Sequence, residues 1–84
     1  MSATVRKMNA PHREDPRDFL QLGIVCSTGA RGAPDMVAAH KWFNLAAMQG
    51  NSEAALLRRE IAAEMSASEI AAAQRAARDW VTLH

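Results

Sequence analysis

Residues 33–51 read APDMVAAHKWFNLAAMQGN, and the prediction of the fold starts from them. A tryptophan stands beside a phenylalanine, alanines lie on both sides of the pair, and a glycine comes just before the end. Alanine is the best helix former, while Asp35 and Gly50 are residue types that respectively begin and end helices. The stretch therefore predicts an α-helix from Met36 to Gln49 that stops at Gly50.

The aromatic pair of this helix shares a face with small residues. At about 100° of rotation per residue, that face contains Ala39, Trp42, Phe43, Ala46 and Ala47. The pattern has two interpretations: a pocket for a small ligand, or close contact between two helices whose gaps the rings fill. We favour the helix contact, because Gly23 upstream has no side chain and lets Trp42 or Phe43 approach its backbone.

The composition predicts a single all-α domain. The chain has 84 residues, of which 49% are hydrophobic, with alanine prominent and tyrosine absent. A chain of this size forms one domain with a thin core. The net charge is +1 and the signs are interspersed, which does not indicate a phosphate-binding surface. Cys26 is the lone cysteine, so we expect a small buried apolar residue in a reducing compartment.

The residues before this stretch predict a polar tail and a first helix. Residues 1–14 are polar and irregular, and we expect a flexible tail. Asp15 is the predicted N-cap of a helix from Pro16 to about Thr28. Gly29 ends that helix in the left-handed conformation. The face expected against the second helix contains Phe19, Leu22, Gly23 and Cys26.

Two further helices are predicted after the central stretch. Asn51 or Ser52 caps a third helix that runs to about Met65. The motif SASE at 66–69 fits a capping box and opens a fourth helix that runs to about Val81. The predicted buried residues are Ala54, Leu57 and Ile61 on helix three and Ile70, Ala73, Ala77 and Trp80 on helix four. Short loops predict that consecutive helices pack antiparallel, as two hairpins.

The segment at 22–51, LGIVCSTGARGAPDMVAAHKWFNLAAMQGN, resembles the Sel-one-like repeat, a relative of the tetratricopeptide repeat. The positions that match the family's unit are Leu22, Gly23, Gly29, Asp35, Ala39, Trp42, Phe43, Ala46, Ala47 and Gly50. Cys26 departs from the family's usual tyrosine, and the second turn glycine, Gly32, comes one residue late. The resemblance implies one full repeat unit at 15–50 in a short right-handed α-solenoid.

The remaining residues, 51–84, resemble a terminating cap. Arg58 and Arg59 stand where the family has Leu-Gly, and no glycine-rich turn follows. The wording AAEMSASEIAAAQRAARDW also resembles the tail of bacterial members that end in a capping hairpin. Family members are described as adaptors or scaffolds without catalytic residues. The resemblance therefore implies a bacterial protein that binds another protein and has no chemistry of its own.

A second apolar stripe on the first helix predicts where a partner binds. Leu20 and Ile24 lie beside Arg17 on this stripe, and Leu56 and Glu60 of the third helix are expected on the same inner surface. We expect these five residues to form a shallow groove for a partner's helix or extended segment. Two alternatives stay open. The apolar residues complete a small core, or two chains cover each other's open ends as a homodimer.

The residues able to carry chemistry are poorly arranged for it. His12 lies in the tail, and His84 is the last residue of the sequence. His40 is expected at the surface, on the side of the second helix away from its alanine face. Neither Cys26 nor any histidine has the neighbours that a nucleophile or a metal site needs. We expect no enzyme activity, no cofactor, no metal and no small-molecule substrate.

No stretch predicts a secretory leader or a membrane span, so the cytoplasm is the expected compartment. The alternative function is a small regulatory or nucleic-acid-associated module that uses the basic tail and surface arginines. Those arginines are Arg58, Arg59, Arg75 and Arg78. Acidic residues interleave with them, which is typical of a solvated helix face, so binding to a protein is the stronger expectation.

Overall fold

A computed structural model describes residues 18–30 and 32–84, and these ranges contain four α-helices and no β-strand. The helices are α1, Phe19–Thr28; α2, Met36–Met48; α3, Ser52–Ala62; and α4, Ala67–Leu83. The predicted all-α class is confirmed. The predicted tail at 1–14 and the residues Asp15, Pro16 and Arg17 lie outside the described residues.

Side-chain caps begin three of the helices where the sequence predicts them. The caps are Asp35 for α2, Asn51 for α3 and Ser66 for α4. Each side-chain oxygen accepts a hydrogen bond from the backbone N–H three residues later, at 3.0, 2.9 and 3.1 Å respectively. Glu69 completes the predicted capping box, because its carboxylate accepts from the Ser66 N–H at 2.8 Å. Each bond satisfies a donor that a helix start otherwise leaves without a partner.

The first helix begins later than predicted. α1 starts at Phe19 rather than Pro16, and Asp18 is its cap, accepting from the Gln21 N–H at 3.1 Å. Two nearby aspartates give the same capping signal in the sequence. Phe19 is buried in the core, and its position at the start of the helix favours the aspartate directly before it. The helix ends as predicted at Gly29, which has a left-handed φ of 74°.

The third helix is shorter than predicted and the fourth is longer. α3 ends at Ala62 rather than at about Met65. A turn follows it in which Met65 is itself buried, so this residue joins the core from outside the helix. α4 continues to Leu83, and the His84 N–H still donates to the Trp80 carbonyl at 3.0 Å.

α2 is the central helix, because α1, α3 and α4 each pack closely against it. Its buried residues are Ala39, His40, Phe43, Leu45 and Ala46. One core cluster joins the apolar members of this set to Phe19 of α1, Ala54 of α3 and Ala77 of α4. Residues from both predicted units, 15–50 and 51–84, therefore share a single core.

The pairing of the last two helices differs from the prediction. The sequence predicts a second tight hairpin of α3 with α4, but backbone contacts between these helices are sparse, and α4 packs on α2 instead. The buried residues of α4 are Ala73 and Ala77. Small side chains shorten the distance at which two helix axes can pack, so this alanine face favours close approach to the central helix.

α1 and α2 lie in close contact at Gly23. Phe43 is 1% exposed, and a Cβ atom built at Gly23 would lie 2.5 Å from its Cδ1 and 3.0 Å from its Cζ. Carbon atoms in favourable contact lie about 3.5–4.0 Å apart. Only glycine fits at position 23 without movement of the ring, and the close approach predicted from the sequence is confirmed for Phe43.

Three aromatic rings connect α1, α2 and α4. Phe19 and Trp42 are stacked with their centroids 5.6 Å apart. Trp80 meets both rings edge-on, at 5.0 Å from Phe19 and 6.2 Å from Trp42. Such pairs contribute about 0.5–1.5 kcal/mol each beyond the burial of their surface. Trp42 therefore holds α4 as well as α1 against the central helix.

Replacing Gly23 with alanine tests the α1–α2 contact. The added methyl group overlaps the Phe43 ring, so we expect the free energy of unfolding to fall by about 1–3 kcal/mol. In open space, the same change inside a helix raises it by about 0.5–1 kcal/mol. Urea unfolding followed by circular dichroism distinguishes these outcomes by their sign, and a gain in stability would show that the ring is not there.

Candidate binding surfaces

A shallow cavity lies one helical turn beyond Gly23, between α1, the α1–α2 loop and α2. Its volume is about 310 Å³, and it is lined by Leu22, Val25, Cys26, Gly29, Ala33, Asp35 and Trp42. The two neighbouring rings of α2 therefore have different surroundings. Phe43 fills the helix contact, whereas the half-buried Trp42 also borders open space. The helix-contact interpretation holds for Phe43. Trp42 takes part both in the helix contact and in the lining of the cavity.

Cys26 was predicted to be a small buried residue, but it is only half-buried. Residues 32–35 of the following loop are exposed, and Ala33 and Asp35 line the cavity together with Cys26. The short side chain leaves part of the space between α1 and α2 unfilled. Beside it, the Trp42 ring is held by Phe19 and by the Lys41 ammonium, which lies 3.9 Å from the centre of the Trp42 ring.

The predicted partner-binding residues differ in their exposure. Arg17 lies outside the described residues. Leu20 and Ile24 are half-buried and pack against the core cluster. Leu56 is 49% exposed, and Glu60, one turn later on α3, is also exposed. Backbone contacts between α1 and α3 are sparse, so the accessible part of the predicted surface lies on α3.

Other large apolar side chains are exposed at the ends of α2 and α4. They are Met48, Val81 and Leu83. Apolar atoms contribute more than half of an ordinary protein surface, so single exposed residues of this kind are common. Val81 is 48% exposed, which makes it a matched reference for Leu56 in experiments on binding.

His40 is buried, so the prediction that it lies at the surface is wrong. Its side chain is 3% exposed, and its Nδ1 atom has no hydrogen-bond partner among the described residues. Removal from water lowers the pKa of this histidine below its ordinary value of 6.5, and the nearby Arg58 guanidinium lowers it further. The prediction assigned one face of α2 to the core, whereas three helices pack around it.

The sequence contains a signal that would have placed His40 correctly. α2 carries apolar residues on nearly every side between Met36 and Met48. A helix with that composition is buried all round. The prediction considered only the alanine-rich face of α2. It therefore missed Leu45, which is also buried, and placed His40 on a side expected to face solvent.

Arg58 is part of the packing between α2 and α3. Its guanidinium donates a hydrogen bond to the Asn44 side-chain oxygen at 2.5 Å, and the residue is half-buried. Arg59, Arg75 and Arg78 are exposed. The row of arginines considered as a nucleic-acid surface therefore has one member that is engaged in holding two helices together.

Within residues 18–30 and 32–84, no three His, Cys, Asp or Glu side chains are grouped closely enough to hold a metal ion. In the same ranges no helix has both the length and the apolar character needed to cross a bilayer. Several of the described carboxylates serve instead as helix caps, namely Asp18, Asp35 and Glu69.

Comparison with known proteins gives no match: no family model, no curated protein and no solved structure is similar to this chain. The resemblance to the Sel-one-like repeat therefore rests on the motif at 22–51 and remains a prediction.

Leucine at position 26 tests the cavity. Cys26→Leu adds apolar volume beside empty space, so we expect the free energy of unfolding to rise by about 0.5–2 kcal/mol. Gly23→Ala is the matched variant, because it also adds apolar volume on the same face of α1, one turn earlier. There the Phe43 ring already fills the space. Urea unfolding in the presence of a reducing agent compares the two variants. Destabilisation by both would contradict an open cavity at Cys26.

Proposed function

We propose that this chain is a non-enzymatic protein-interaction module, an adaptor or scaffold that binds a segment of another protein. The observation that carries the proposal is the exposure of Leu56 on α3. Ala54, Leu57 and Ile61 form the side of this helix that packs against the core, so Leu56 is an additional large apolar residue on the outer side. Its neighbour Glu60 adds a charge one turn away.

The proposed binding surface consists of Arg17, Leu20, Ile24, Leu56 and Glu60. Leu20 and Ile24 are half-buried, so a partner that packs on α1 covers their remaining accessible area. Fully burying a leucine or isoleucine side chain contributes about 1.5–3 kcal/mol, and Leu56 has about half of that still to gain. A mixture of apolar and charged residues is typical of interfaces between proteins that also exist separately.

The proposed architecture is a short right-handed α-solenoid of the Sel-one-like type, with one unit at 15–50 and a cap at 51–84. Its support is the motif at 22–51 together with the contact of Gly23 and Phe43, two positions of that motif. A bacterial source and a cytoplasmic location belong to the same proposal, and rest on the wording of the cap and on the composition of the chain.

A second candidate function is binding to nucleic acid, and the exposure of Arg59, Arg75 and Arg78 favours it. The acidic side chains that interleave with them are also exposed: Glu60, Glu64, Glu69 and Asp79. Each of these carboxylates weakens attraction to phosphate. The two functions differ in their response to salt, because phosphate contacts weaken steeply as salt concentration rises, whereas burial of apolar surface does not.

A charged residue at position 56 tests the proposed surface. Leu56 is half exposed, so Leu56→Asp leaves the core in place, and we expect it to abolish capture of the partner from native cell lysate while helicity stays unchanged. Val81→Asp is the control, because Val81 has almost the same exposure on α4. Affinity capture followed by mass spectrometry compares the proteins retained by the three chains.

Equal loss of the partner in both variants would contradict a surface centred on Leu56, as would its retention in Leu56→Asp. We expect the captured protein to stay bound between low and moderate salt. Release over that interval, together with nucleic acid in the captured material, would favour the second candidate function.

A homodimer is the further partnership open to this chain, and the exposure of Met48 and Leu83 favours it. We expect the sedimenting mass to rise from one chain towards two as concentration increases, because a second chain covers apolar residues that one chain leaves in water. Analytical ultracentrifugation over a hundredfold range of concentration measures this. A strict monomer at the highest concentration would remove the homodimer.

A further inference from the structure

His40 lies in the packing between α2 and α3. Asn44 is four residues later on α2, and residues at that spacing share one face of a helix. Asn44 receives the hydrogen bond from Arg58 of α3, so this face of α2 is turned towards α3. Arg58 is half-buried in the same α2–α3 contact, and its positive charge disfavours a protonated imidazole at His40.

Burial and Arg58 disfavour a proton on this imidazole more than a backbone hydrogen bond favours it. Its Nδ1 is buried without a hydrogen-bond partner among the described residues. Protonation makes both ring nitrogens donors and puts a second positive charge beside Arg58. Burying a charge without an opposite partner is costly, and a like charge nearby increases the cost.

The other charged groups of the packed helices do not compensate. The carboxylates of α3, α4 and the turn between them are all exposed: Glu53, Glu60, Glu64, Glu69 and Asp79. On α1, Asp18 is occupied as the helix cap. On α2 itself, the Lys41 ammonium lies over the Trp42 ring, and Asp35 caps the helix start. None of these carboxylates is buried, whereas Arg58 is part of the α2–α3 contact.

α3 is the helix that can separate from the rest. Its close contacts are with α2, and its contacts with α1 and α4 are sparse. α4 has a separate attachment, because Trp80 packs on Phe19 and Trp42. Loss of the α2–α3 contact therefore leaves the aromatic connection of α1, α2 and α4 in place.

We propose that His40 is a proton-operated latch, whose protonation beside Arg58 releases α3 from α2 while α1, α2 and α4 stay together. The latch is a property of the fold and stands whether or not a partner binds on α3.

The sign of the pH dependence follows from the lowered pKa of His40. Between its folded value and the ordinary value of 6.5, the released state binds more protons than the closed state. The closed state is therefore most stable above about pH 6.5 and weakens as the pH falls through that value. A difference of one bound proton changes the equilibrium by up to about tenfold for each pH unit.

Hydrogen exchange of the whole chain at pH 7.5 and pH 5.0 tests the latch. After correction for intrinsic exchange rates, we expect the protection of α3 amides to fall by about tenfold at the lower pH, while the amides of α4 between Ala73 and Trp80 keep theirs. In His40→Leu, which places an apolar side chain of similar size in the core, we expect the α3 difference to disappear. His84→Gln is the control, because it removes the exposed histidine and leaves His40 in place. We expect the α3 difference between the two pH values to remain in this variant.

Unchanged α3 protection between the two pH values would overturn the proposal, and so would the same loss in His40→Leu. Should His40→Leu fail to fold, Arg58→Gln provides the second test. The glutamine amide can still donate to Asn44 but carries no charge. We expect the His40 side-chain resonances to titrate at higher pH in this variant and the α3 difference to shrink. A titration midpoint that stays in place would contradict the latch.

Discussion

At Gly23 the backbone of α1 lies so close to the Phe43 ring that a methyl group would overlap it. This approach sets the distance between α1 and α2. It brings Phe19 onto Trp42, and Trp80 of α4 then closes the aromatic cluster. One turn further along α1, the short side chain of Cys26 does not fill the space between α1 and α2, and it lines the cavity there. The aromatic cluster and the cavity therefore lie on either side of one close contact.

Local features of the structure could be predicted from the sequence because local chemistry determines them. Asp35, Asn51 and the pair Ser66 and Glu69 cap helices through hydrogen bonds three residues apart, and such spacing is visible in a sequence. The buried residues of α4 follow from helical periodicity in the same way. The start of α1 at Phe19 was missed because two aspartates offer the same cap, and only the packing of Phe19 separates them.

Features that depend on which helices meet were harder to predict. His40 was placed at the surface because one face of α2 was assigned to the core, whereas three helices surround α2. The pairing of α3 with α4 was inferred from a short loop. Instead, α4 packs on α2, because the alanine face of α4 allows the two helices to approach closely. For the candidate site, helical periodicity separated Leu56 from the core residues of α3. It could not predict that Leu56 is more exposed to solvent than Leu20. Their exposures depend on neighbours distant in sequence.

α3 combines the two functional proposals, since it carries Leu56 at its surface and Arg58 in its contact with the central helix. The fold itself depends on the close contact that holds α1 against α2. Nuclear Overhauser spectroscopy between the Gly23 Hα protons and the Phe43 ring protons measures this contact directly. We expect strong cross-peaks, because the ring lies against the glycine backbone. Their absence, with Phe43 ring protons close to other residues instead, would contradict it.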